Sequence, residues 1–199
     1  MKKGEKTRAA ILQDALSLAS RIGLEGLTIG SLAKRNGMSK SGLFAHFASK
    51  EGLQIQVLEA ARVRFVRAVV SPALRQPRGE ARVRALFDGW LAWSESELLP
   101  GGCPLVSAAC ELDDRPGGAR DALVSIQRDW FDTLQHAVRT AVEEGQFAAT
   151  VDPADWAFEL WGIALAYHHH RRLMRDPNAA ARARRAFARQ LEHARLVLE

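Results

Sequence analysis

The chain has 199 residues, of which 47% are apolar, and it carries a net charge of +5 at pH 7. This size and composition are sufficient for a folded core and exclude an intrinsically disordered chain. No apolar stretch approaches the ~18 residues that a membrane-spanning helix needs. Gln13 and Asp14 also interrupt the first apolar run, which argues against a secretory leader. We therefore expect a cytoplasmic protein with no membrane partner.

The first two predicted helices lie within residues 1–35. The first helix has one apolar face and ends at Gly23, a residue that commonly terminates helices. Thr28 follows as the N-cap of a short second helix, since its hydroxyl can accept hydrogen bonds from free backbone amides. Asn36 and Gly37 both tolerate a positive φ angle, so they predict a sharp reversal of the chain after this second helix.

Ser39 caps the third predicted helix. Leu43 and Phe47 lie one turn apart on this helix and can hold it to the core. The other side chains of the helix point elsewhere and are free to contact a partner: Lys40, Ser41, Ala45 and His46. Two short helices joined by a tight turn form a helix-turn-helix signature, in which the second helix enters the major groove of DNA.

The remainder of the chain is also predicted to be helical. Its helices are expected over residues 49–70, 80–99, 104–112, 118–144, 153–174 and 177–198. The last two begin with Asp152-Pro153 and Asp176-Pro177, pairs that place an acidic cap before a first-turn proline. No segment alternates between apolar and polar residues in the way that predicts a strand. The predicted fold class is therefore all-α.

The excess positive charge lies entirely in the first quarter of the chain. Residues 1–52 contain nine Lys and Arg residues against four acidic residues, whereas residues 53–199 contain 19 of each sign. A basic N-terminal segment (the head, residues 1–52) followed by a neutral remainder indicates that the head binds a polyanion.

Residues from about Lys6 to Ala60 resemble the N-terminal DNA-binding domain of the TetR family of transcriptional regulators. The resemblance rests on the Thr28 cap with its apolar helix, the turn at residues 36–38, the run over residues 39–47, and Ser49-Lys50-Glu51 at the start of the next helix. It implies an all-α protein with a three-helix helix-turn-helix head over residues 1–52. A helical bundle for ligand binding and dimerisation would follow over residues 53–199.

The resemblance also implies how the head would bind a double-stranded DNA operator. The candidate DNA-binding residues are Thr28, Ser39, Lys40, Ser41, Phe44, Ala45, His46 and Lys50. Lys40 is expected to contact base edges, while Thr28, Ser39 and Lys50 bind phosphate oxygens. Phe44 stands where family members usually carry a tyrosine whose hydroxyl binds phosphate, so here only packing against the DNA backbone is expected.

The last two predicted helices carry apolar stripes that could form a homodimer interface. The candidate residues are Trp156, Leu160, Ile163, Tyr167, Ala183, Phe187 and Leu191. The spacing alone fits equally well a stripe that fills the core of a single subunit. TetR regulators pair through their two C-terminal helices, and this resemblance favours the interface. Such a dimer would read a palindrome with half-sites about 34–36 Å apart.

The central segment is expected to bind a small organic effector, because aromatic and apolar residues concentrate there. The candidate pocket residues are Phe87, Trp90, Trp93, Cys103, Leu105, Trp130, Leu134 and Trp161. Ligand pockets are mostly apolar, but so is every protein core. The resemblance implies that effector binding shifts the bundle and changes the spacing of the two heads.

Two groups of residues leave a redox-responsive or metal-responsive regulator open as an alternative. Cys103 and Cys110 are seven residues apart, about 10 Å along one helix, which is too far for a disulfide within an intact helix. The run His168-His169-His170 cannot converge on one metal ion, because consecutive side chains on a helix diverge by about 100°. We therefore expect reduced cysteines, no bound metal and no cofactor.

The sequence gives little support for an enzyme. It contains neither the Gly-x-Ser-x-Gly elbow of hydrolases, nor a phosphate-binding glycine loop, nor a His-Glu-x-x-His zinc motif. A hydrolase that pairs Cys103 with His168 is the alternative from another class of function. A general nucleoid binder is the alternative within the DNA-binding class. The predicted function is a transcriptional regulator, most simply a repressor that a small ligand releases from its operator.

Overall fold

The computed structural model describes residues 3–195, except for the side chains of residues 3, 5 and 6. Its helices are α1 (Lys3–Ile22), α2 (Ile29–Arg35), α3 (Lys40–Phe47), α4 (Lys50–Phe65), α5 (Ser71–Leu74), α6 (Glu80–Ser94), α7 (Pro104–Leu112), α8 (Gly118–Glu143), α9 (Pro153–Arg172) and α10 (Ala179–Arg195), with a π-helical turn over Val66–Val70. Within this described range there is no strand, and the all-α prediction is confirmed. The predicted end of the last helix, at residue 198, lies outside the described residues. No helix between residues 3 and 195 is long and apolar enough to cross a membrane.

Three helix boundaries predicted from local capping signals agree with the structure, those at Gly23, Ser49 and Asp152. Gly23 follows the last residue of α1 with a φ of 79°. The Ser49 hydroxyl accepts a hydrogen bond from the Gly52 amide at 2.9 Å, at the start of α4. The Asp152 carboxylate accepts hydrogen bonds from two amides of the first turn of α9, at 2.7 and 2.9 Å. Each cap satisfies backbone donors that the first turn of a helix leaves without partners.

Three predicted boundaries are wrong in detail. The helix predicted over residues 49–70 is α-helical only to Phe65, and the Ser71 amide then bonds to the Val66 carbonyl, five residues back. The helix predicted to reach residue 99 ends at Ser94, whose hydroxyl bonds to the Leu91 carbonyl. The last helix begins at Ala179 rather than Pro177, because residues 177 and 178 form a turn.

The chain forms two compact units. Unit 1 consists of the described residues up to Arg64 together with Glu95–Gln127, and unit 2 of Phe65–Ser94 together with the described residues from Arg128 onward. The predicted domain boundary at residue 52 thus falls within unit 1. The segment that carries α7 packs in the same unit as the predicted head.

The core of unit 1 fixes the two helices of the helix-turn-helix. Leu43 and Phe47 are 0% and 2% exposed, as expected for the side chains that hold α3 to the core. The other large, fully buried side chains of this unit are mainly aliphatic: Ile11, Leu16, Leu27, Leu32, Leu53, Leu58 and Leu99. Burying each of these contributes about 1.5–3 kcal/mol. The orientation of α3 is therefore set by packing.

Candidate nucleic-acid interface

The start of α2 is held by a reciprocal capping box. The Thr28 hydroxyl accepts a hydrogen bond from the Ser31 amide at 3.0 Å, and the Ser31 hydroxyl accepts one from the Thr28 amide at 3.3 Å. Each side chain satisfies a backbone donor of the other residue. Thr28 is exposed, so its methyl and hydroxyl groups remain on the surface at the end of the helix.

The turn between α2 and α3 depends on a single positive φ angle. Gly37 has a φ of 63°, whereas Asn36 stays at −94°. The Asn36 amide group instead donates hydrogen bonds to the Asp14 carboxylate at 3.1 Å and to the Leu32 carbonyl at 2.9 Å. Gly37 thus makes the reversal, while Asn36 ties the turn to α1.

Helix α3 presents one face of mixed polar and apolar residues to solvent. The Ser39 hydroxyl caps it by accepting a hydrogen bond from the Gly42 amide at 3.1 Å. The exposed residues of its outer face are Lys40, Ser41, Phe44 and Ala45. His46 is half-buried beside Phe47, with 6.2 Å between the ring centroids, and is therefore less available than these four.

The starts of α2 and α3 enclose an open hollow of about 640 Å³. Four of the predicted DNA-binding residues line it, namely Thr28, Lys40, Ser41 and Phe44, together with Ile29 and Gly30. Sequence reasoning missed Gly30. A Cβ atom at this position would lie 3.2 Å from Lys40 Cε, so the glycine leaves room for the lysine against α2.

The two lysines predicted to contact DNA differ in their surroundings. Among the described residues, no carboxylate lies within 4 Å of the Lys40 ammonium, whereas Lys50 Nζ lies 2.9 Å from Glu25 Oε2. Hydrogen bonds from Lys50 and Gln54 hold the pKa of the Glu25 carboxyl below its usual range. Lys40 is therefore open to an incoming base or phosphate, while Lys50 has a partner within the protein.

Five of the eight predicted pocket residues line one small cavity in unit 2: Phe87, Trp90, Trp130, Leu134 and Trp161. The cavity measures about 10 Å³, room for at most one water molecule. Trp130 Nε1 is buried and has no hydrogen-bond partner within the described part of the chain. The other three residues do not line this cavity. Trp93 packs edge-on against Phe65 with 5.7 Å between the ring centroids, and the buried Cys103 and Leu105 belong to unit 1.

Most of the predicted dimer stripe is buried inside the single chain. Trp156, Leu160, Tyr167, Ala183, Phe187 and Leu191 are all buried, and only Ile163 is half-buried. Phe187 stacks on Phe87 with 4.0 Å between the ring centroids and meets Trp156 edge-on. These contacts favour the alternative in which the stripe fills the core of its own subunit.

The residues of the redox and metal alternatives are dispersed. Cys103 is buried before α7, Cys110 is exposed on that helix, and the two cysteines are not joined by a disulfide. His168 is half-buried; burial lowers its pKa, and Arg172 and His169 lower it further. Between residues 3 and 195, no three His, Cys, Asp or Glu side chains are grouped so that they could hold a metal ion.

Two protein-family models match most of the chain. The model described as "Bacterial regulatory proteins, tetR family" matches residues 11–57, and the model described as "Tetracyclin repressor-like, C-terminal domain" matches residues 79–187. The first match covers α2, α3 and the hollow between them. Both models describe transcriptional regulators, which are not enzymes.

Curated relatives are similar over the greater part of the chain. An HTH-type transcriptional repressor of Mycobacterium tuberculosis is 28% identical over 136 residues, which cover 63% of this chain and 72% of the relative. An HTH-type transcriptional regulator of Mycobacterium bovis matches with the same identity and coverage.

Solved structures share the fold. A TetR transcriptional regulator from Chloroflexus aurantiacus is 24% identical and superposes with a TM-score of 0.78, covering 97% of this chain and 96% of that one. AibR, solved in complex with isovaleryl coenzyme A and operator DNA, is also 24% identical, with a TM-score of 0.67 and coverages of 81% and 85%. These matches show the all-helical architecture.

Proposed function

The chain belongs to the TetR family of transcriptional regulators, and on that premise we propose that it is a repressor that binds a palindromic operator as a homodimer and is released by a small organic ligand. It would act in the cytoplasm, where DNA is accessible. The hollow between α2 and α3 carries the proposal, since it groups Lys40, which pairs with no carboxylate of the described residues, with Thr28, Ser41 and Phe44 on one exposed surface.

Selection of bound DNA from a random duplex pool at physiological salt would test sequence-specific binding. We expect enrichment of a palindrome whose half-sites lie about 34–36 Å apart, one helical turn of DNA. Retention of DNA without enrichment would contradict the proposal and favour the nucleoid binder, whose affinity comes from phosphate contacts and falls steeply with salt.

Replacement of Lys40 by alanine tests the assigned role of α3. We expect Lys40→Ala to weaken binding to the selected operator about 5- to 150-fold, as for the loss of a base contact, and to leave the oligomeric state unchanged. Arg128→Ala is a matched control, because it removes one exposed positive charge from unit 2. Equal losses in the two variants would mean that Lys40 contributes only net charge.

The exposed side of α9 and α10 supports pairing of two chains. Phe158 is 76% exposed, and Gly162, one turn later on α9, has open space around the position of a Cβ atom. A groove of about 620 Å³ runs between the two helices and contains Glu159 and three arginines, Arg182, Arg185 and Arg189. A second copy could insert Phe158 over Gly162 and pair its Glu159 with Arg185 or Arg189, whereas Arg182 already pairs with Asp176 of its own chain at 3.0 Å.

The aromatic cavity of unit 2 supports an apolar effector. Typical ligand pockets measure about 300–1,000 Å³, so a ligand would have to enlarge this cavity of about 10 Å³. Trp130 Nε1, which has no partner among the described residues, would donate a hydrogen bond to the ligand. A screen of small aromatic and acyl compounds for release of the protein from its labelled operator tests this role. Release by a compound that still acts on a Trp130→Phe variant with undiminished potency would place the effector elsewhere.

A further inference from the structure

Glu25, in the segment between α1 and α2, binds two cations through one oxygen atom. Lys50 Nζ and Arg115 Nη1 each lie 2.9 Å from Glu25 Oε2. The other oxygen, Oε1, accepts a hydrogen bond at 2.8 Å from Gln54, whose side chain is buried on α4. All four residues belong to unit 1.

The backbone around Glu25 is held by α7. The Glu111 carboxylate accepts hydrogen bonds from the amides of Leu24, at 3.1 Å, and of Glu25, at 2.6 Å. The Gln54 side chain also donates to the Leu24 carbonyl at 3.3 Å. The Glu25 carboxylate is thus bound by Lys50 and Gln54 of α4 and by Arg115, which follows α7, while Glu111 of α7 holds the backbone of Glu25.

Lys50 cannot bind a DNA phosphate and keep its present partner without loss. The Glu25 carboxylate repels an incoming phosphate and already occupies one of the three N–H donors of the ammonium group, so a phosphate binds Lys50 less strongly than it would without Glu25. Arg115 draws on the same carboxylate oxygen and therefore weakens the hold of Glu25 on Lys50. Lys40 has no such partner among the described residues, so this competition concerns Lys50 alone of the two.

We propose that Glu25 competes with operator phosphate for Lys50, and that Arg115 sets the strength of this competition. The inference rests on the proposed DNA-binding function and adds a means of regulating operator affinity. Any displacement of the segment after α7 that separates Arg115 from Glu25 would strengthen the Lys50–Glu25 pair and lower operator affinity.

Measurement of operator binding by fluorescence anisotropy over a series of salt concentrations tests the proposal. Since the pair is partly exposed, we expect Glu25→Gln to tighten binding about two- to fivefold per head. Because the freed Lys50 strengthens its phosphate contact, the plot of log affinity against log salt should steepen by up to about 0.9 per head. Arg115→Ala should weaken binding by up to about twofold, and should have no effect in the Glu25→Gln background.

Two controls separate this competition from a general loss of negative charge. Glu59→Gln removes a carboxylate from the same unit, where it pairs with Arg62 and not with Lys50, and it should leave affinity nearly unchanged. In a Lys50→Ala background, Glu25→Gln should no longer tighten binding. Glu25→Asp keeps the negative charge on a shorter side chain, so we expect an operator affinity between those of the wild type and Glu25→Gln.

The proposal would be overturned if Glu25→Gln still increased operator affinity in the Lys50→Ala background. It would also be overturned if Glu59→Gln increased operator affinity by the same factor. An unchanged salt dependence in a Glu25→Gln variant that folds with the melting temperature of the wild type would likewise overturn it. If the wild-type protein selects no DNA sequence, the proposed function itself is refuted. The selection experiment with the wild type therefore precedes the measurements on the variants.

Discussion

Gly30 is the residue that allows Lys40 to lie along α2. The closest heavy atom to a Cβ at this position would be Lys40 Cε at 3.2 Å, which is the end of a flexible side chain and not backbone. An alanine would therefore be accommodated by a shift of Lys40 of a few tenths of an ångström. The glycine favours the position of the lysine at some cost to the helix, since glycine is a poor helix former.

Gly30→Ala should separate stability from recognition. We expect the free energy of unfolding to rise by up to about 1 kcal/mol, because alanine favours the helix, and discrimination between the operator and a mutated operator to fall. Urea denaturation and anisotropy measure the two effects. In a Lys40→Ala background the change in discrimination should disappear; a change that remains there would mean that Gly30 acts through another contact.

At the scale of elements, Glu80 ties the end of α10 to the start of α6. Its side chain is only 14% exposed and accepts hydrogen bonds from Arg84 at 2.6 Å and from Arg195 Nε at 2.8 Å. Burial raises the pKa of the Glu80 carboxyl, but the hydrogen bonds from Arg195 and Arg84 outweigh burial and hold the pKa below its usual range. The carboxylate also lies in the first turn of α6, where the helix dipole favours a negative charge.

Glu80→Gln should lower the free energy of unfolding by about 1–2 kcal/mol at neutral pH, because hydrogen bonds to a charged group are lost. Since the folded pKa is depressed, this stabilisation is present above the ordinary glutamate pKa of about 4.3 and is lost as the pH falls through the folded value. Thermal denaturation over a pH series measures the difference between wild type and variant. Glu97→Gln, at an exposed position, is the control. A difference that stays constant down to about pH 2 would contradict this assignment.

The elements that sequence predicts well are those with local signals. Thr28, Gly37, Ser39 and Asp152 each act within four residues of their own position, and their caps and turns agree with prediction. The π-helical turn over Val66–Val70 has no such signal. The helix-turn-helix surface could be found because it lies in one continuous segment.

Contacts between distant parts of the chain could not be predicted in this way. Glu111 and the Glu25 amide that it binds are 86 residues apart, and no periodicity links them. The stripe that contains Trp156 and Phe187 has the spacing of an apolar helix face, which is the same for a subunit core and for a dimer interface. Burial of the stripe in the folded chain favours the subunit core. The exposed Phe158 makes the opposite side of α9 the better candidate for a dimer interface.

At the scale of the whole molecule, the exposed apolar side chains of α9 support the proposed pairing of two chains. Phe158 and Leu165 are both exposed there, beside the small residues Gly162 and Ala166. Large exposed side chains next to small ones are typical of helices that pack closely on another copy. Two heads fixed in one dimer bind a palindrome far more tightly than single heads do.

Phe158→Ser should shift the protein from dimer to monomer at micromolar concentration, because it removes the largest exposed apolar side chain of the proposed interface. Size-exclusion chromatography with light scattering gives the mass, and anisotropy should show a parallel loss of operator affinity. Val63→Ser is the matched control, at an exposed apolar residue of α4. A Phe158→Ser protein that remains dimeric would refute this interface.

All five tryptophans of the sequence, at positions 90, 93, 130, 156 and 161, and the single tyrosine, Tyr167, lie in unit 2. Unit 1 contains phenylalanine as its only type of aromatic side chain apart from histidine. Intrinsic fluorescence excited at the indole band therefore originates entirely outside the helix-turn-helix. The emission spectrum of the unlabelled protein is consequently a built-in optical reporter of unit 2, in which three of the five tryptophans, Trp90, Trp130 and Trp161, line the aromatic cavity.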